Sequence, residues 1–174
     1  DGKHIAYGLS PSGSEASVLH IMEVATGKVL PERIEKTDWG VTGWLPDGSG
    51  FFYIAFVNER GTPQFYLNSE CRLHKLGTDP KTDRLMIRRG LVPGIDMDET
   101  QAAFIATSEQ SSTVLIGVVD IRTEKALWTA ELADILAGKF TAKKVCGFED
   151  LVVAQAIDKD DLYLLSNKGN SRGR

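Results

Sequence analysis

The side chains best equipped for chemistry in this 174-residue chain are three histidines (His4, His20, His74), two cysteines (Cys71, Cys146) and two acidic clusters. Nucleophilic hydrolysis on an α/β scaffold needs serine on a sharp strand-to-helix turn, in the pattern G-x-S-x-G. Gly8-Leu9-Ser10-Pro11-Ser12 comes nearest and fails at its last position. The histidines fall in strand-like runs with no matched acid and serine around them, so each reads as a partly exposed strand residue rather than a triad base. Asp96-Met97-Asp98-Glu99 and Asp158-Lys159-Asp160-Asp161 are too short in ligands for a helix-flanked calcium loop, which needs glycine at its sixth place and glutamate at its twelfth. They read as solvated turn caps. No phosphate-cradling G-x-x-x-x-G-K-[ST] occurs. The cysteines lie far apart in apolar settings and read as free packing thiols. The expectation is no catalytic residue, no metal and no cofactor.

What would position any functional group is a phrase that returns. It is Asp-Gly, or an acidic stand-in, followed by an apolar run with aromatics. It reads Asp1-Gly2-Lys3-His4-Ile5-Ala6-Tyr7, then Asp47-Gly48-Ser49-Gly50-Phe51-Phe52-Tyr53, then Asp98-Glu99-Thr100-Gln101-Ala102-Ala103-Phe104. A fourth copy starts at Glu149-Asp150. Repeats of roughly 40–50 residues built from short strands mark β-propeller blades. Hairpin signals support this. Val18 to Val24 turns at Ala25-Thr26-Gly27-Lys28, Arg72 to Leu76 turns through Gly77-Thr78-Asp79-Pro80, and Val114 to Ile121 turns at Arg122-Thr123-Glu124-Lys125. Trp39 to Trp44 and Leu91 to Asp96 read as first strands of successive blades. Ala130 to Leu136 is the one short helical segment.

The expected fold is all-β, three to four blades of four-stranded antiparallel sheet out of a likely seven. The blades fall at about 1–37 (incomplete), 38–90, 91–137 and 138–174 (incomplete). Apolar residues at 42% and charged residues at 25% permit an ordinary buried core. A net charge of −4 argues against nucleic acid or an anionic membrane as the main partner. No apolar run approaches the roughly 18 residues of a membrane helix.

Several stretches resemble the propeller of the prolyl oligopeptidase family of serine peptidases. They are Asp1 to Ser10 with Ser12-Gly13-Ser14, Glu23 to Pro31, Trp44 to Tyr53, and Leu73 to Thr78. The resemblance implies a two-domain parent, in which a seven-bladed propeller covers an α/β-hydrolase that cuts short peptides after proline. The propeller restricts access, and the hydrolase is absent from these residues. Short peptides are then the implied partner, reached through that hydrolase. The family's aromatic at the outer substrate pocket falls on Trp39, where phenylalanine is the common residue. A small or thiol position on a second loop falls near Gln110-Ser111. Trp44 and Trp128 are assigned to packing between sheets. Two alternatives stay open: a related oligopeptidase with basic-residue specificity, or a stand-alone protein-binding propeller. Cytoplasm and bacterial periplasm are both compatible compartments. A propeller begun and ended in mid-blade exposes apolar faces and strand edges, so self-association is expected.

Overall fold

The computed structural model describes residues 2–159 and 161–169. Among them the chain folds into four antiparallel sheets. The first is β1 (His4–Leu9), β2 (Val18–Glu23) and β3 (Val29–Glu35), paired in that order. The second is β4 (Val41–Trp44), β5 (Gly50–Ala55), β6 (Glu70–Lys75) and β7 (Arg84–Ile87). The third is β8 (Ala102–Ala106), β9 (Thr113–Val119), β10 (Ala126–Glu131) and β11 (Lys143–Cys146), with the short helix α1 (Leu132–Leu136) between the last two strands. The fourth is the pair β12 (Val152–Asp158) and β13 (Asp161–Ser166).

The Asp-Gly phrase earns its place at the β4–β5 turn. Gly48 takes a φ of +70°, a value that costs other residues steric strain. Asp47 Oδ1 accepts from Ser49 N at 2.9 Å and from Ser49 Oγ at 2.7 Å, closing the turn. The apolar run after it then has no polar face to offer. All six residues of β5 are buried. Phe51, Tyr53 and Ala55 pack with Leu19, Ile21 and Ile34 of the first sheet. Phe52 faces the other way, in a core with Met86, Ile105, Ile116 and Trp128. A strand apolar at every position is what burial on both faces requires. The third and fourth sheets meet through Leu115, Leu127, Val152 and Cys146. The sheets therefore stack face to face in chain order, as adjacent propeller blades do.

Close approach excludes a side chain at several glycines, Gly50 against His74 O and Gly117 among them. A Cβ on Gly117 of β9 would enter the ring of Phe104 on β8. Other expectations hold. The helical segment forms, Trp128 is buried, Trp44 packs against the cluster between the first and second sheets, and both cysteines are free and buried.

Two strand assignments are corrected. Leu91 to Asp96 is not a strand. Pro93 lacks the donor a ladder needs, and Gly94 turns with φ +80°. Val92, Ile95 and Met97 still reach the core, and Trp128 Nε1 donates to Gly94 O at 3.1 Å. The third copy of the phrase also leads into a different strand position. Thr107 Oγ1, just past β8, donates to Trp44 O at the end of β4 at 2.5 Å. Asn68 N, before β6, donates to Glu99 O, before β8, at 2.7 Å. So β8 runs alongside β4 and opposite to β5. It opens its sheet, whereas β5 is second in its own. The third sheet continues to Cys146, where the period suggested a boundary near 137. Asp1, Asp160 and residues 170–174 lie outside the described residues.

Candidate functional site

Trp39 stands in the connection between β3 and β4. This connection is a tight turn: Gly40 N donates to Thr37 O at 2.8 Å, and Lys36 and Gly40 both take positive φ. Phe56 N donates to Lys36 O at 2.9 Å, which ties the turn to the end of β5. The Trp39 ring meets Phe56 edge-on at 5.4 Å but is 48% exposed. Phe56 belongs to an aromatic group with Phe65 and Tyr66, at centroid distances of 4.8 to 5.1 Å. The long β5–β6 connection supplies the last two rings.

Beside Trp39 lies a cleft of about 660 Å³. Its walls come from three connections far apart in sequence. Ser10, Ser14 and Glu15 lie between β1 and β2, Asp38 and Trp39 between β3 and β4, and Tyr66 between β5 and β6. Asp38 holds the three together. Its Oδ1 accepts from Ser17 N at 3.1 Å and from Arg60 Nη2 at 2.6 Å. The hydrogen bond to Asp38 raises the pKa of the Arg60 guanidinium, holding it charged, and Arg60 lies 4.3 Å over the Phe65 ring. The arrangement offers exposed aromatic faces, hydroxyls and carboxylate in one concave surface. That suits binding and orientation; it holds no nucleophile paired with a base.

Gln110 and Ser111 sit elsewhere. They lie between β8 and β9, where Ser111 Oγ accepts from Thr113 N at 3.1 Å. The Thr107–Trp44 bond puts that connection at the β4–β5 turn, the opposite end of the stack from Trp39. The structure does not bring these two positions to Trp39. Glu15, Asp38 and Tyr66, which share its cleft, went unmarked because no local motif links them. The density of aromatics from Phe56 to Tyr66 was the available signal.

A second constellation corrects the reading of one histidine. His74 on β6 is 0% exposed, not partly open to solvent. Its Nδ1 lies 2.8 Å from Asp83 Oδ1, and a carboxylate can only accept, so Nδ1 carries the proton. Tyr53 OH donates to Asp83 Oδ2 at 2.8 Å. Burial pushes the Tyr53 hydroxyl well above the usual tyrosine range, with the Asp83 charge adding to it. Burial also pushes the Cys71 thiol, on the same strand as His74, up to about 12. The group locks the β6–β7 turn onto β5; with His74 closed off from solvent, it is a structural clasp. His4 and His20 are half-buried strand residues, as expected.

A family model described as prolyl oligopeptidase, N-terminal beta-propeller domain, matches residues 1–174. Prolyl oligopeptidase A of Amanita bisporigera is 24% identical over 96% of this chain and 24% of its own length. A solved structure from a study of two prolyl endopeptidases superposes with a TM-score of 0.75 at 22% identity, over 97% of this chain and 24% of that one. Prolyl oligopeptidase B from Galerina marginata, solved bound to a 25mer macrocyclization substrate, gives a TM-score of 0.59 at 20% identity, over 75% of this chain and 19% of that one. The chain thus spans about a quarter of the length of the relatives it matches.

Proposed function

Since this chain belongs to the prolyl oligopeptidase N-terminal β-propeller family, we propose that it serves as the non-catalytic, access-restricting part of a prolyl oligopeptidase-like serine endopeptidase acting on short peptides after proline. The stack itself carries the reading. Its sheets bury each other face to face, the 174 residues hold no nucleophile elbow, and a half-exposed aromatic stands at a concave rim. In this reading Trp39 forms a wall of the peptide path, its indole stacking on a proline ring or an apolar side chain. Gln110 and Ser111 would contribute only through a second region at the other end of the sheets. Self-association through the outermost sheet faces is part of the same proposal. The outer residues Ile5 and Leu9 on one side, and Tyr163 and Leu165 on the other, are large and exposed.

Kinetics with a proline-containing reporter peptide test this. The 174-residue chain alone is expected to give no turnover, and turnover by it overturns the non-catalytic assignment. In a longer protein that also carries the hydrolase, Trp39→Ala is expected to raise KM several-fold with the melting temperature little changed. Unchanged kinetics would remove Trp39 from the peptide path.

A further inference from the structure

We infer that Arg60 is a positioning residue for Trp39: it touches no peptide itself and holds the indole in place through Asp38 and the aromatic group. The inference rests on the reading above that Trp39 forms a wall of the peptide path.

Asp38 and Trp39 are the two central residues of one four-residue turn, closed by the bond from Gly40 N to Thr37 O. Reorienting either one reorients the other. Asp38 is fully committed. Its Oδ1 accepts from Arg60 Nη2 at 2.6 Å and from the Ser17 amide at 3.1 Å. Its Oδ2 is buried and closed to any approaching group, so the carboxylate serves the turn and not a ligand. Trp39 is held less firmly. It is 48% exposed, and its ring contact among the described residues is the edge of Phe56.

Arg60 closes these contacts into a circuit. Its guanidinium lies 4.3 Å over Phe65, Phe65 packs on Phe56 at 5.1 Å, and Phe56 meets Trp39 at 5.4 Å. One side chain thus braces the turn through Asp38 and the indole through two phenylalanines. A second tie joins the same two connections, Lys36 Nζ donating to Asn58 O at 3.0 Å, so the β3–β4 turn stays anchored when Arg60 is changed. What Arg60 supplies is the charge at Asp38. The Asp38 side chain is 9% exposed. Without its cation, a carboxylate this enclosed turns toward water to recover solvation and carries Trp39 with it. Arg60 does not line the cleft, so its effect on peptide passes through Trp39.

A double-mutant cycle tests this in the longer protein that carries the hydrolase, read by steady-state kinetics with a proline-containing reporter peptide. Arg60→Met keeps a stem along Phe65 and removes the charge. It is expected to raise KM about threefold with kcat unchanged, the cost of ordering one loosened side chain when peptide binds. In a Trp39→Ala background the same change should leave KM where Trp39→Ala alone puts it, while the melting temperature falls equally in both backgrounds. Asp38→Asn leaves no charge to strand and should likewise abolish the dependence of KM on Arg60. A KM rise that persists without Trp39, or that survives Asp38→Asn, overturns the positioning role. So does an unchanged KM in Arg60→Met when Trp39→Ala raises it. Unchanged KM in Trp39→Ala overturns the peptide-facing reading of Trp39 and this inference with it.

Discussion

Asp83 serves two buried donors at once, so replacing it strands both. Tyr53 OH and His74 Nδ1 each sit 2.8 Å from one of its oxygens, and the two residues are 2% and 0% exposed. A buried polar group that loses its partner costs about 1–3 kcal/mol. Asp83→Ala is therefore expected to destabilise the protein by about 2–6 kcal/mol, a large share of the roughly 5–15 kcal/mol that holds a domain together. Tyr53→Phe leaves the Asp83–His74 bond intact but strands one buried Asp83 oxygen, so it should cost about 1–3 kcal/mol. The double variant separates the explanations. Without the Tyr53 hydroxyl, Asp83→Ala strands one group instead of two, and the pair should fall short of additivity by about 1 kcal/mol or more. Urea unfolding followed by tryptophan fluorescence reads all three, provided the m-values agree. A loss under 0.5 kcal/mol in Asp83→Ala, or strict additivity in the cycle, would refute the clasp.

The same buried groups set an alkaline limit. Folded-state pKa values of Tyr53 and Cys71 are raised, so their contribution is complete below the ordinary values of 10.0 and 9.0 and is lost as pH climbs from about 9 toward about 12. Chemical denaturation across that range should weaken, less steeply in Tyr53→Phe. On the acid side, the hydrogen bond from Arg122 holds Asp120 at about 2, below its ordinary 3.8, so its contribution is present above 3.8 and disappears as pH falls through 2; Asp120→Asn should flatten that limb. Gly117→Ala places a methyl in the Phe104 ring and should cost about 1–3 kcal/mol, a loss that Phe104→Leu partly relieves in a thermal melt. Light scattering at micromolar concentration is expected to show dimers or larger, reduced by Tyr163→Lys; a stable monomer of the unaltered protein sinks the self-association.

Local chemistry made much of the fold legible. Hairpins announced themselves through Gly27, Gly48 and the Asp79-Pro80 turn, and the unbroken apolar run at Phe51 to Ala55 signalled a strand covered on both sides. Leu91 to Asp96 misled because its apolar residues do serve the core, but as anchors of a turn set by Pro93 and Gly94. The orientation of β8 was invisible because an acidic turn before an apolar run marks the start of a strand, not its place in a sheet. His74 was misread because its partner lies across a hairpin, nine residues on, and polar pairs across a turn leave no periodic trace. Trp39 could be marked through the resemblance to a family whose pocket carries an aromatic there, whereas Glu15 and Asp38 become neighbours only once two sheets have stacked.

Strand β5 has a consequence for descent. Phe51 and Phe52 are adjacent in the chain, yet each is committed to a different neighbouring sheet. A strand of this kind holds no position where a change goes unnoticed, and a swap at either phenylalanine asks for an answering change on a different sheet. A loop position such as Ile121, fully open to solvent, carries no such constraint. The middle of the stack is where ancestry should be written longest.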